Sequence, residues 1–215
     1  MRFVMSLRAE PLPEQVTPAG IKINDLRRAI SREYEAVAKT PQKGFHFHTG
    51  RRLTEIVEYE QEWLEGIPES VIESFAGTGN PFAVGEIVVG DNVVDIGCGA
   101  GIDSFVAAQK VGPSGRVVGI DMTPAMLHKA RSAQETIGCD QVRFEHGVME
   151  DLPIPDHWAD VIISNGALNL APDKTRALQE MHRVLTPEGR LQIADIIVQK
   201  KVPESAKRKI DLWTG

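Results

Sequence analysis

A glycine-rich turn behind an apolar strand is the feature that most constrains this chain. The segment VVDIGCGAG, residues 93–101, passes through Asp95 into glycines at positions 97, 99 and 101. Glycine permits the positive φ values and the close backbone approach that a tight strand-to-helix turn requires. The N–H groups at the start of the following helix can face an anionic or polar ligand. The motif therefore predicts a βα unit that binds an adenosine-containing cofactor.

The pattern around this turn alternates strand and helix. A parallel neighbouring strand can be reached only through a crossover, so the alternation predicts a doubly wound, mainly parallel Rossmann-like α/β sheet. Ligands of such sheets bind at the carboxyl ends of the strands. The expected strands are residues 93–97, 116–121, 142–147, 159–165 and 190–195, the expected helices are 102–111, 124–137 and 174–185, and TPEG at 186–189 is expected to form a turn.

The chain before residue 85 lacks this alternation of strand and helix. Its opening is rich in proline and lacks periodicity, and the apolar spacing that follows is typical of amphipathic helices. We expect helices at residues 21–39, 52–59 and 68–74 and a turn at 76–82. The sequence thus predicts an N-terminal helical and loop cap, residues 1–84, and a cofactor-binding domain, residues 85–215.

Composition narrows the possible functions. The formal net charge of −6 gives no general attraction to nucleic-acid phosphates. The only two cysteines, Cys98 and Cys139, are too few for a disulfide framework or a cysteine-rich metal site. No apolar run approaches the roughly 20 residues of a membrane span. We therefore expect a cytoplasmic protein with a small-molecule partner, without nucleic acid, membrane or bound metal.

The second strand ends in a carboxylate that suits a ribose. Asp121 lies 20 residues after Gly101, where a carboxylate can accept both ribose hydroxyls. A dinucleotide fingerprint G-x-G-x-x-G would place its third glycine at the position of Ile102, one residue later than Gly101. The spacing disfavours a nicotinamide-dependent oxidoreductase, which remains the third hypothesis.

Five motifs in order carry a family resemblance. DIGCGAG, GIDMTPAMLHKAR, GVMEDLP, DVIISN and RVLTPEGRLQIAD resemble the class I S-adenosylmethionine-dependent methyltransferases over residues 70–200. The resemblance implies S-adenosyl-L-methionine as cofactor and a small-molecule or metalloid methyl acceptor. Because methyl transfer from a sulfonium depends mainly on alignment and desolvation, the sequence need not display an acid or base. The cofactor-binding residues it implies are Asp95, Gly97, Cys98, Gly99, Gly101, Asp121, Met122, Val148, Met149, Glu150 and Asn165.

Within that class the chain resembles the arsenite methyltransferase-like branch, through SFAGTGNPF, VAAQKVGPSGRVVGIDMTPAML, ISNGALNLAPDK and DLWTG. Tyr34 resembles a tyrosine that closes over the cofactor in that branch, and with Asn165 it is a catalytic candidate. The branch binds arsenic through cysteine thiolates, which suit a soft centre. Two of those positions hold Thr78 and Gly166, and the third would fall beyond Gly215. We predict the scaffold of the branch without its arsenic site, and no appreciable arsenite methylation.

The end of the chain leaves several alternatives open. The resemblance implies two further strands after a helix expected near Pro203, for which 215 residues leave no room. Either the chain is truncated, or another copy supplies the edge, or the sheet ends at five strands. An unpaired edge would favour a homodimer. The alternative function is a non-catalytic or incomplete methyltransferase-like protein that binds the cofactor.

Other polar residues are interpreted without a role in the site. We expect Arg27, Arg28 and Arg32 to form the solvated face of the first helix. His46 and His48 lack a third metal ligand and are expected to be solvated. Cys98 is expected to fill space beneath the glycine turn, and Asn165 has the alternative role of capping a loop.

Overall fold

The computed structural model describes residues 16–17, 20–197, 199–200 and 202–203. These residues form an entirely parallel five-stranded sheet in the order β3-β2-β1-β4-β5, which confirms the predicted α/β class. The strands are β1 (Asn92–Ile96), β2 (Arg116–Asp121), β3 (Val142–His146), β4 (Ala159–Asn165) and β5 (Leu185–Ala194). The helices are α1 (Ile23–Lys39), α2 (Arg51–Ile56), α3 (Glu69–Ile72), α4 (Ile102–Val111), α5 (Pro124–Ile137) and α6 (Lys174–Val184).

The strand order places a ligand site at the middle of the sheet. From β1 the chain adds β2 and β3 on one side and then β4 and β5 on the other. Val93, Val94 and Ile96 of β1 are almost fully buried, as expected for a strand covered by helices on both faces. The change of direction between β1 and β4 opens a crevice at their carboxyl ends, where doubly wound sheets bind ligands.

The strand β5 begins five residues earlier than the sequence predicts. Leu185 pairs with Ala159, and the next pair joins Arg190 to Val161, so that residues 186–189 bulge between the two registers. Pro187 in this segment has no N–H for the ladder, which is why the expected TPEG turn interrupts the register without ending the strand.

The N-terminal segment packs against the sheet domain through a shared core. Leu26, Ile30 and Val37 recur at helical spacing on the buried face of α1. The helix α2 ends before the predicted boundary, and Glu58 after it has a positive φ of 60°. A single-turn helix at Gln61–Leu64 was not expected from the sequence.

The structure does not test the helix expected near Pro203, because residues 204–215 lie outside the described part of the chain. Among the described residues, no helix is both long and apolar enough to cross a membrane.

Candidate functional site

A cavity opens at the carboxyl ends of β1, β2 and β4. The glycine turn and the strand ends form one wall, and one face of α1 together with residues 74–77 forms the opposite wall. The sheet and the cap therefore enclose the site jointly.

The glycine turn has the predicted strand-to-helix geometry. Gly97, Gly99 and Gly101 have φ values of +76°, +52° and +97°, and α4 begins directly after them. A Cβ on Gly97 would overlap the side chain of Ala167, and one on Gly101 would lie 2.8 Å from the Phe144 ring. The turn therefore depends on glycine both for its backbone conformation and for close packing.

Asp121 lies at the end of β2 and faces the cavity. Its Oδ2 accepts the Gly99 N–H at 2.9 Å and its Oδ1 accepts the Thr123 N–H at 2.7 Å. Burial raises the pKa of this carboxyl, and the two N–H groups oppose the rise. A carboxylate has about four acceptor positions, so Asp121 can accept further hydrogen bonds from a ligand with neighbouring hydroxyls such as a ribose.

Two further carboxyls, those of Asp95 and Asp103, are buried beside the turn. The Ser104 hydroxyl donates to Asp95 at 2.6 Å, while the Tyr59 hydroxyl donates to Asp103 at 2.5 Å. Burial raises the pKa of Asp103 to about 6, and burial together with the nearby Asp103 charge holds the pKa of Asp95 well above its usual range. Asp103 lines the cavity, whereas Asp95 and Gly101 support the turn without lining the cavity.

Asn165 uses its whole amide to hold neighbouring protein groups. The side-chain oxygen accepts the N–H groups of Thr78 and Gly79 at 2.8 and 3.1 Å. The nitrogen donates to the Gly79 carbonyl, the Tyr59 hydroxyl and Asp103, at 2.9, 3.0 and 3.2 Å. The side chain therefore caps the loop at residues 77–79 while lining the cavity, and its catalytic role stays a prediction.

Sequence reasoning missed Tyr59 and Asp103. Asp103 carried a weak signal, because it is an acidic residue in the first turn of the helix that follows the glycines. Tyr59 carried none, since it lies 44 residues earlier in a segment predicted only as helix. Its ring packs against Trp63, Phe75 and Phe82 in the cap.

Several residues of the cavity lining are apolar. Met122, Val148 and Met149 line the cavity, together with the buried carboxylate of Glu150. Tyr34 enters from α1 and stacks on Phe47, with ring centroids 6.1 Å apart. Burial, with the charge of Asp121 adding to it, raises the pKa of the Tyr34 phenol.

The prediction that Arg27 is solvated is wrong. Its Nη2 donates to Oε2 of Glu150 at 3.0 Å, its side chain is only 29% exposed, and it lines the cavity. Arg28 and Arg32 are exposed as predicted, and Arg28 pairs with Asp25 of its own helix. Three arginines within six residues look alike in sequence, but only one of them points at the sheet domain.

The two positions that hold cysteine in the arsenite branch are neighbours. A Cβ built on Gly166 would lie 3.0 Å from Cγ2 of Thr78. Gly166 lines the cavity, and the Thr78 hydroxyl donates to the Ala194 carbonyl at 3.2 Å. The cysteines lie elsewhere, with Cys98 buried in the glycine turn and Cys139 after α5.

The histidines of the cap show no sign of a metal site. His46 and His48 are exposed. Within the part of the chain that the structure describes, no group of three or more histidine, cysteine, aspartate or glutamate side chains could hold a metal ion.

Comparisons with known proteins agree with this geometry. The family model for the methyltransferase domain matches residues 87–214. The arsenite methyltransferase of Halobacterium salinarum is 42% identical over 139 residues, which are 65% of this chain and 36% of that protein. The arsenite methyltransferase of Mus musculus is 35% identical over 171 residues, covering 75% of this chain and 45% of that protein.

A solved structure of a methyltransferase is also similar to this chain. The arsenic(III) S-adenosylmethionine methyltransferase CrArsM from Chlamydomonas reinhardtii superposes with a TM-score of 0.63 at 38% identity, over 68% of this chain and 52% of that one. This chain therefore spans about half or less of the length of these relatives.

The fold and the cavity define a Rossmann-like domain of the class I methyltransferase type. The chain belongs to the methyltransferase domain family, and it is similar to the arsenite methyltransferases named above.

Proposed function

We propose that this chain is the cofactor-binding domain of an S-adenosylmethionine-dependent methyltransferase that acts on a small-molecule or metalloid acceptor. The observation that carries the proposal is the convergence of the glycine turn, Asp121 and the segment 148–150 on one cavity. These groups fit the cofactor, because the turn leaves no room for side chains and Asp121 can still accept hydroxyls. The cofactor supplies a methyl group on a sulfonium when bound.

In this proposal the residues of the chain align the reactants and exclude water. The backbone of Gly97 and Gly99 provides the surface against which the cofactor lies, and Asp121 orients its ribose. Tyr34 and α1 cover the cavity from the cap side, which would desolvate the reacting atoms. Alignment of this kind supplies much of the acceleration of a displacement at carbon.

Isothermal titration with S-adenosylmethionine and S-adenosylhomocysteine tests the proposal. We expect saturable binding of both at one site per chain. Absence of binding to a folded preparation would reject the proposed function. Methyl transfer to any acceptor by this chain would in turn reject the alternative of a non-catalytic cofactor-binding protein.

We also propose that arsenite is not the acceptor of this chain. The relatives described above are arsenite methyltransferases, but the arsenic-binding cysteines of the branch are replaced by Thr78 and Gly166. A hydroxyl and a hydrogen atom at these positions offer no soft ligand.

Finer features of the organisation remain our proposals. They are a cap at residues 1–84, a cofactor domain at 85–215, a cytoplasmic location, no nucleic-acid partner, and a homodimer formed through β5. For the dimer the support is that β5 pairs with β4 alone among the described residues. Sedimentation velocity of the 215-residue chain tests the dimer; a single monomeric species at micromolar concentration would reject it.

A further inference from the structure

One face of α1 forms a wall of the cavity. Arg27, Ile30 and Tyr34 line it, and their spacing of three and four residues puts them on one side of the helix. Ile30 packs in a small apolar cluster with Leu26 and Leu170, to which Met122 and Tyr34 are attached. Arg27 is the cationic side chain of this wall.

The guanidinium of Arg27 is fixed on one side and unpaired on the other. Glu150 accepts from Nη2 with one carboxylate oxygen, and its other oxygen faces the N–H of Asp173 at 3.4 Å. The Nε of Arg27 is buried and has no hydrogen-bond partner. A buried N–H without an acceptor is unfavourable. Among the described residues, only Glu150 accepts a hydrogen bond from this guanidinium, so its remaining N–H groups are available to a ligand in the cavity that Arg27 lines.

The surroundings restrict the chemistry of that ligand. The cavity lining includes Met122, Val148 and Met149, which favour an apolar group over a charged one. The carboxylate of Glu150 already neutralises the arginine, so an anionic ligand gains little there. A planar heterocycle whose ring nitrogen accepts a hydrogen bond satisfies both conditions, because a guanidinium can stack on or donate to such a ring.

We propose that Arg27 recognises the nucleobase of the cofactor: Glu150 orients the guanidinium, and a free N–H of the guanidinium is donated to an acceptor nitrogen of the adenine ring. The proposal rests on the proposed function, since it assumes that the cavity binds S-adenosylmethionine. It adds a specificity-determining residue from the cap.

The test compares binding of S-adenosylhomocysteine with binding of analogues in which one adenine ring nitrogen is replaced by C–H. The variants are Arg27→Met, which removes the donors, and Arg27→Lys, which keeps the charge but not the planar guanidinium. Arg28→Met is the matched control on the exposed side of the same helix. Titration calorimetry gives each dissociation constant, and circular dichroism verifies that each variant is folded.

For the original chain we expect one analogue to bind about tenfold more weakly than S-adenosylhomocysteine, since loss of one hydrogen bond raises the dissociation constant about tenfold. Arg27→Met and Arg27→Lys should bind S-adenosylhomocysteine about tenfold more weakly and no longer distinguish it from that analogue. Arg28→Met should behave as the original chain within about twofold.

Other outcomes separate the two proposals. If Arg27→Met weakens every ligand by the same factor, or none, the arginine does not recognise the base and this inference fails while the proposed function stands. If the original chain binds S-adenosylhomocysteine but discriminates none of the analogues, the inference also fails. If the original chain binds neither cofactor form, the proposed function itself fails.

Discussion

The phenolic oxygen of Tyr59 lies 2.5 Å from Oδ1 of Asp103, and both residues are buried. Tyr59 belongs to the cap, whereas Asp103 lies in the first turn of α4, so this bond joins the cap to the sheet domain. Asn165, at the end of β4, donates to both of them. A single buried network therefore fixes the cap, α4 and β4 relative to one another beside the cavity.

Tyr59→Phe should lower the free energy of unfolding by about 1–3 kcal/mol, the cost of leaving a buried polar partner unsatisfied. The ring and its aromatic contacts remain, so the loss reports the hydroxyl alone. Urea denaturation at pH 7 measures it. Tyr34→Phe is the matched control, because the Tyr34 hydroxyl makes no hydrogen bond to the described residues, and it should cost less than about 0.5 kcal/mol. Equal losses in the two variants would contradict the role of the network.

Stability should fall as the pH rises from about 4 to about 7. The pKa of Asp103 is about 6 in the folded chain, against about 3.9 when unfolded. Between these values the folded state binds more protons than the unfolded state, so each step up in pH favours unfolding. Burial also raises the pKa of Asp95, which contributes in the same direction.

Urea denaturation at a series of pH values checks this dependence, with Asp103→Asn as the comparison. The variant cannot titrate at this position, so its stability should fall less steeply over the same interval. Parallel curves for the two proteins would show that Asp103 ionises normally in the folded chain.

Much of the fold could be predicted from local sequence, because its determinants lie close together in the chain. The run VVDIGCGAG contains a buried strand, a turn that needs glycine and the start of α4, and each of these depends on neighbouring residues. The same holds for Asp121 at the end of β2. The error at β5 arose where the local signal of TPEG was correct for a bulge but did not reveal that pairing continues on both sides.

The site was predicted less completely because several of its contacts join distant residues. Tyr59 and Asp103 are 44 positions apart, and Arg27 and Glu150 are 123 apart. No periodicity within a helix indicates which of its polar residues faces a second element. Asn165 illustrates the same limit, since its position at the strand end was evident whereas the partners of its amide were not.

Replacing a glycine that has a positive φ should cost more stability where its new Cβ has no space. Gly97 and Gly138 both have positive φ, at +76° and +70°, but a Cβ on Gly97 would overlap Ala167 whereas one on Gly138 meets nothing within 4 Å. Gly138→Ala should therefore cost about 1–2 kcal/mol of unfolding free energy from backbone strain alone. Gly97→Ala adds a steric conflict worth about 1–3 kcal/mol more.

Gly97→Ala should also weaken binding of S-adenosylhomocysteine, because relief of the overlap moves the turn that lines the cavity. Gly138 lies at the end of α5, away from the cavity lining, so Gly138→Ala should leave that affinity unchanged. Denaturation and titration of the same preparations separate the two effects. Similar affinities in both variants would argue that the turn is not part of the cofactor site.

The chain should not methylate arsenite. Thr78 and Gly166 stand side by side where the branch has cysteines, and neither provides the thiolate that trivalent arsenic prefers. Incubation with arsenite, a thiol reductant and methyl-labelled S-adenosylmethionine should yield no labelled arsenic above a heat-denatured control. Calorimetry on the same preparation must show that the cofactor binds, so that a negative result reflects the acceptor site.

The variant Thr78→Cys should also fail to methylate arsenite, because it restores only one thiolate ligand. Gly166 still supplies none, and its φ of +69° disfavours a side chain. Methylated arsenic from the unaltered chain would show that other groups bind the metalloid.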